Sequence, residues 1–257
     1  MNKQRVLVTL NSLLYSLIIL TIIVFIFSNR WPYPDLLPIL SLKVKEIILM
    51  IKQVMPVILT SVMLSLAVSI FTLLICFPAA KVLVFYEFKG KSIIKTILVL
   101  PIIIPIIAVV MGIHLTMIKL GLSNTLIGVV LVQIIPCIPY VVRILMNSYE
   151  VIGNKIEIQA KVLGASKLEV FWYVSFPLLK HAISSALKMS FILSYSQYLI
   201  TLIIGGGIVK THSVVIFPII QSGSRSEIAL NSFLFIVTIV IINYLIDKLF
   251  SYVKEAV

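Results

Sequence analysis

The sequence predicts an all-α protein that crosses a bilayer several times. Three observations carry this. Apolar residues make up 61% of the 257-residue chain, more than a soluble domain could hide from water. Several apolar runs reach the ~18–20 residues that a helix needs to cross a hydrocarbon core, and the chain does not show the short alternating segments of a β-barrel. Charge is confined to the ends of those runs and the stretches between them. The net charge of +12 therefore reads as the Lys and Arg that hold loops on the cytoplasmic side, not as a nucleic-acid footprint.

Taken in order, residues 1–5 form a basic head and about 6–28 the first span. The run exceeds the apolar core of a signal peptide, and no small-residue cleavage site follows it. Residues 29–35 are turn-rich, with Trp31 and Tyr33 of the kind found at headgroup depth. Residues 36–55 mix Leu and Ile with Lys43, Lys45, Glu46 and Lys52, which predicts a helix lying along the outer surface or leading into the next span. The second span is about 56–80, and Lys81, Lys89, Lys91 and Lys95 place the following loop inside.

The third span, about 96–115, contains Pro101 and Pro105 and should be kinked or broken. His114 near its end is expected to be a hydrogen-bonded residue and not a proton carrier. Residues 121–124 form an outer turn, and the fourth span is about 125–146, with Gln133, Pro136 and Pro139 inside it. The fifth span is about 182–204, followed by a turn-rich outer loop at 205–225, and the sixth is about 229–250. Cys76 and Cys137 lie inside apolar runs and read as small core residues. Fourteen of the 21 Lys and Arg fall on the inner side of this scheme, which puts both termini inside.

Residues 157–177, EIQAKVLGASKLEVFWYVSFP, are a polar island between two apolar runs. Ile158, Ala160 and Leu163 share a face at helical spacing. Gly164 suits the left-handed end of a first short helix. Ser166 and Glu169 form an S-x-x-E capping box that starts a second. Pro177 is expected to end that second helix, because it has no N–H to give. The expected product is a compact two-helix knob at 150–180, held between spans and shaped to dock into another protein.

This stretch resembles the cytoplasmic coupling loop of ABC importer permeases, whose EAA signature is Glu-Ala-Ala, three residues, Gly, nine residues, then aliphatic-any-Leu-Pro. Ala160, Gly164, Val174 and Pro177 fall in register. Phe176 stands where Leu is usual, Ile158 and Gln159 stand where Glu and the first Ala are usual, and Glu157 lies one place early. Leu100, Pro101 and Pro105, the Asn124-Thr125-Leu126-Ile127-Gly128 run, and the stretch from Ser196 to Gly207 also look like the core of these permeases, and the tone is closest to the spermidine/putrescine, ferric-iron and thiamine group.

The resemblance implies one permease domain over 1–257 with six transmembrane helices in the type I (MetI-like) fold, five of them a shared core. It implies a bacterial inner or plasma membrane and a second permease subunit, identical or homologous. Other implied partners are an external substrate-binding protein, which residues 36–55 could contact, and a separate ATPase that binds ATP and Mg. The coupling residues it points to are Glu157, Ala160, Leu163, Gly164, Ala165, Ser166, Phe171, Trp172 and Pro177. Phe171 and Trp172 have two open readings: a grip on the ATPase, or packing of the knob on its own spans.

The residues themselves agree with an outside energy source. Asp35, Glu46, Glu87, Glu150, Glu157, Glu169, Glu227, Asp247 and Glu255 all lie in loops or near span ends, which disfavours the alternative of an ion-coupled secondary transporter. The chain has no G-x-x-x-x-G-K-[ST] run to bind ATP. No H-E-x-x-H or paired aspartates point to an intramembrane enzyme, so neither a catalytic nor a metal residue is expected. Ser190, Ser194, Gln197 and Thr201 recur at spacings of four, three and four, so they share one face of the fifth span. With Gln133 they read either as a substrate path or as hydrogen-bonded helix glue.

Overall fold

The computed structural model describes residues 16–30, 39–40, 44–222 and 225–252. It is helical apart from a two-strand antiparallel contact, β1 (Ser28–Arg30) with β2 (Ile39–Leu40). The helices are α1 (Ser16–Ile26), α2 (Val44–Phe85), α3 (Lys91–Ile103), α4 (Ile106–Lys119), α5 (Leu126–Ile152), α6 (Lys155–Val162), α7 (Lys167–Val170), α8 (Phe176–Tyr195), α9 (Leu199–Gly205), α10 (His212–Ser222) and α11 (Arg225–Ser251).

Among the described residues α2, α5 and α11 are each long and apolar enough to cross a membrane, and the bent pairs α3–α4 and α8–α9 raise the number to five. The expected first span is described only from residue 16 onward, as the short apolar α1. The turn-rich residues 31–35 lie outside the described residues.

The second span differs from its expectation. α2 begins twelve residues before 56 and runs unbroken through Pro56 and Pro78, so residues 44–55 lead directly into the second span, the latter of the two readings given for 36–55. At ~1.5 Å per residue its 42 residues extend about 63 Å. Pro56 removes one i→i−4 bond, and the residue left with the unpaired carbonyl, Lys52, is exposed. The buried side of α2 sets small residues among Ile58, Leu64, Val68 and Leu83. Ser61, Ser65, Ser69, Thr72, Cys76 and Ala80 are all buried, and small residues at such spacing let helix backbones approach closely. Both thiols are unpaired and buried. Cys76 faces the Ile138 carbonyl and Cys137 the Ser190 carbonyl.

The expected break at Pro101 and Pro105 is present. α3 and α4 meet at 104°, with Pro105 opening α4 at φ −55°. His114 meets Ser123 at 3.3 Å. α5 opens at Thr125, whose side chain accepts from the Gly128 N–H at 3.0 Å. The fifth span, expected as one helix over 182–204, is broken: α8 and α9 are bent by 63° around residues 196–198. The two buried clusters are stacked along the bundle. One joins α2, α4, α5 and α9 around Leu64, Val68, Val110, Val132 and Ile204. The other joins α2, α5 and α8 around Ala80, Val141, Leu145, Tyr149 and Ile183. A third, smaller cluster seats Ile26 of α1 on Ala229 and Leu230 of α11.

Among the described residues the chain reversals fall at two ends of the bundle. At one end Lys81 pairs with Glu157 and Phe176 with Phe250. At the other, the Asn124 N–H bonds the Ile204 carbonyl at 2.7 Å and the Ser226 hydroxyl bonds the Ile26 carbonyl at 2.8 Å.

Candidate functional site

The island at 157–177 folds largely as its local signals dictate. α6 stops at Leu163, and Gly164 follows at φ +92°, where a side chain on the residue would be strained. Ser166 caps α7 through the complete box: its hydroxyl accepts from the Glu169 N–H at 3.3 Å, and its own N–H donates to the Glu169 carboxylate at 2.7 Å. Those bonds hold the Glu169 carboxyl below the usual glutamate value.

Pro177 overturns one expectation. It does not end the second helix; the chain is helical from Lys167 through Tyr195. The reason is a π turn over Phe171–Ser175, closed by the Phe176 N–H to the Phe171 carbonyl. The wider turn leads into α8 with Pro177 in its first turn, where a missing N–H costs little. The knob is therefore one free-standing helix, α6, leaning on the root of a span.

Glu157 is where α6 joins the bundle. It is 7% exposed. Lys81 of α2 donates to its carboxylate at 2.5 Å, and the Ser175 hydroxyl donates to the other oxygen at 2.6 Å. Burial alone would raise this carboxyl, but the two hydrogen bonds and the charges of Lys81 and Lys161 bring it below the usual value. Glu157 thus faces inward and orients α6. Sequence reasoning missed Lys81, which is 76 positions away.

Aromatic edges complete the seat. Phe171 lies 5.6 Å from Phe77 and 5.0 Å from Trp172, and Tyr149 sits between Phe77 and Phe85. Phe171 therefore packs on α2. Trp172 reaches Phe176 while leaving 57% of itself exposed. The outer face of the knob is apolar and open: Val162, Leu163 (87% exposed), Leu168, Trp172 and Tyr173. Ala160 and Ala165 are half-buried, and Gly164 and Ser166 are exposed.

The polar residues of the fourth and fifth spans come together in part. Ser194 donates to the Gln133 side-chain oxygen at 2.5 Å, and the Gln133 amide donates to Thr201 at 2.8 Å. Thr201 donates to the Gln197 carbonyl, and Ser190 to its own helix at Ala186. Gln133, Ser190, Ser194 and Thr201 are all buried, and Gln197 is half-buried in the break. The network joins α5 to both halves of the broken span. A second buried chain was not foreseen: Tyr195 meets His212 at 2.9 Å, His212 meets Asn231 at 3.4 Å, and the His212 N–H donates to Ser61 at 2.7 Å. No cluster of metal-ligating side chains occurs among the described residues.

Residues 73–256 match the model of a family described as "Binding-protein-dependent transport system inner membrane component". The chain is 28% identical over 156 residues to the molybdate/tungstate transport system permease protein WtpB of Methanocaldococcus jannaschii, covering 57% of this chain and 62% of that protein. It is 26% identical over 159 residues to the putrescine transport system permease protein PotI of Escherichia coli, covering 58% and 56%. The chain thus spans somewhat over half the length of these relatives. In fold it is similar to a chain of a bacterial ABC transporter involved in the import of the acidic polysaccharide alginate, with TM-score 0.70 at 16% identity over 96% of this chain and 98% of that one. The polyamine group is therefore only one of several to which the sequence is similar.

Proposed function

Because the chain belongs to the family of binding-protein-dependent transport system inner membrane components, we propose that it is the permease subunit of an ATP-binding-cassette importer. It is a transport subunit and not an enzyme. A separate ATPase binds ATP and Mg, an external protein delivers a small solute, and a second permease, identical or homologous, completes the path. The excess of Lys and Arg in the loops at that end supports a cytoplasmic knob and cytoplasmic termini.

The observation that carries this reading is the open apolar face of the knob. Val162, Leu163, Leu168, Trp172 and Tyr173 are exposed on a short helix and its capped successor, at the end of the bundle where Lys155, Lys161 and Lys167 cluster. Apolar side chains in a polar, cationic setting fit a protein groove better than lipid. Leu163 and Trp172 are the anchors, Ala160 and Gly164 permit close approach, and Phe171 holds the anchors from behind.

The relatives' substrates span oxyanions and a polyamine. The buried polar network around Gln133 carries no fixed charge that selects between them, which fits selectivity set by the delivering protein.

Leu163→Asp in proteoliposomes with the cognate ATPase tests the docking. Leu163 has an ordinary negative φ of −77° and a side chain 87% exposed, so the variant reads contact and not folding. Loss of complex formation and of coupled ATP turnover, with membrane assembly intact, is the expected result. An unchanged, working complex removes the knob from the interface.

A further inference from the structure

The ion pair at the root of the knob leads away from the two spans that the knob connects in sequence. α6 is covalently joined to α5 and, through α7, to α8. Its buried carboxylate is held by the Ser175 hydroxyl at the root of α8 and, beyond those two spans, by Lys81 on α2. α2 is one continuous helix. Twenty residues earlier on it, about 30 Å along the axis, the buried Ser61 hydroxyl accepts the N–H of His212, the first residue of α10. Ser61 donates in turn to the Val57 carbonyl at 2.7 Å. Both attachment points are buried: Glu157 is 7% exposed and His212 is fully enclosed. Between them the buried Ser65, Val68, Ser69, Thr72, Cys76 and Ala80, with Phe77 against Tyr149, pack α2 on its neighbours.

We propose that Lys81 and Glu157 are positioning residues for energy coupling, and that α2 acts as a rigid strut carrying displacement of the knob to α10 at the opposite end of the bundle. The inference rests on the knob being the ATPase contact. A pull on α6 moves Glu157, and the charge-assisted bond passes that movement to Lys81 and hence to α2 as a body. α2 hands it to α10 through Ser61. α10 is in turn tied to the broken fifth span and to α11 by the Tyr195–His212–Asn231 chain. One movement at the knob thus reaches both α5–α8 and the far end, and a bend at the break in the fifth span alone does not absorb it.

The test uses the full complex, with cognate ATPase and binding protein, in proteoliposomes. Transport per ATP hydrolysed is compared for the native chain, Glu157→Gln, the exchanged pair Lys81→Glu with Glu157→Lys, and Ser61→Ala. Melting temperature is recorded in parallel. Glu157→Gln and Ser61→Ala should each lower transport per ATP by roughly tenfold, within the range of ordinary coupling energies, and the exchanged pair should recover most of it. A purely structural role would move the melting temperature and leave that ratio alone.

If Glu157→Gln couples normally, the strut is wrong. If it uncouples but Ser61→Ala does not, the ion pair braces the knob locally and α2 carries nothing. If the native chain itself fails to assemble with the ATPase, the coupling reading beneath the inference falls, and the strut with it.

Discussion

The Gln133 side-chain amide donates to the Thr201 hydroxyl at 2.8 Å, across the break that separates α8 from α9, while its oxygen accepts from Ser194 on the near side. One buried residue of α5 thereby fastens both halves of a bent span. Gln133→Leu removes both bonds and should lower stability by about 1–2 kcal/mol, read as a fall in melting temperature in detergent. Unchanged melting with altered transport would instead make Gln133 a path residue.

Gly128 admits the Leu122 carbonyl where any Cβ would overlap it, whereas Gly112 has open space around it. Gly128→Ala should therefore displace the 122–125 turn and cost roughly 1–3 kcal/mol. Gly112→Ala should be neutral. Paired thermal melts decide the matter, and equal behaviour of the two variants contradicts the packing described.

The turn after α6 depends on backbone conformation alone. Gly164 sits at φ +92° with nothing near a built Cβ, so Gly164→Ala should cost about 1–2 kcal/mol of local stability, and Gly164→Asn less. Loss of the Ser166 cap in Ser166→Ala should cost about 1 kcal/mol. Hydrogen exchange of residues 160–170 measures all three, and an effect confined to distant spans would refute the local account.

The Glu157 carboxyl lies below the usual value of 4.5 despite its burial. A depressed folded-state pKa stabilises the ionised, docked form above the unfolded value, and that contribution is lost as pH falls through the lowered one. The emission of Trp172 in a Trp31→Phe background should thus stay flat from neutral pH to below 4.5 and change only beneath it. A transition centred above that value means burial outweighs the bonds from Lys81 and Ser175.

Local chemistry was the legible part. Gly164, Ser166 and Glu169 specify their turn and cap within six residues, and Pro105 starts α4 where the sequence asks for a break. The apolar runs located the described spans, and Gln133, Ser194 and Thr201 stood out as polar groups in apolar surroundings. What escaped depends on partners distant in sequence. Nothing near Lys81 marks its pairing with Glu157, and nothing near Ser61 marks His212. α2 reaches back to Val44 past Pro56, whose lost bond falls on Lys52, an exposed residue. Pro177 misled for a related reason: a proline stops an α-helix, but a wider turn just before it moves the chain into a register where the ring fits.

That wider turn has a further consequence. A π turn holds one residue more than the α turn it replaces. Deleting one residue from 171–175 should leave α8 intact and turn α6 by about 100° around it.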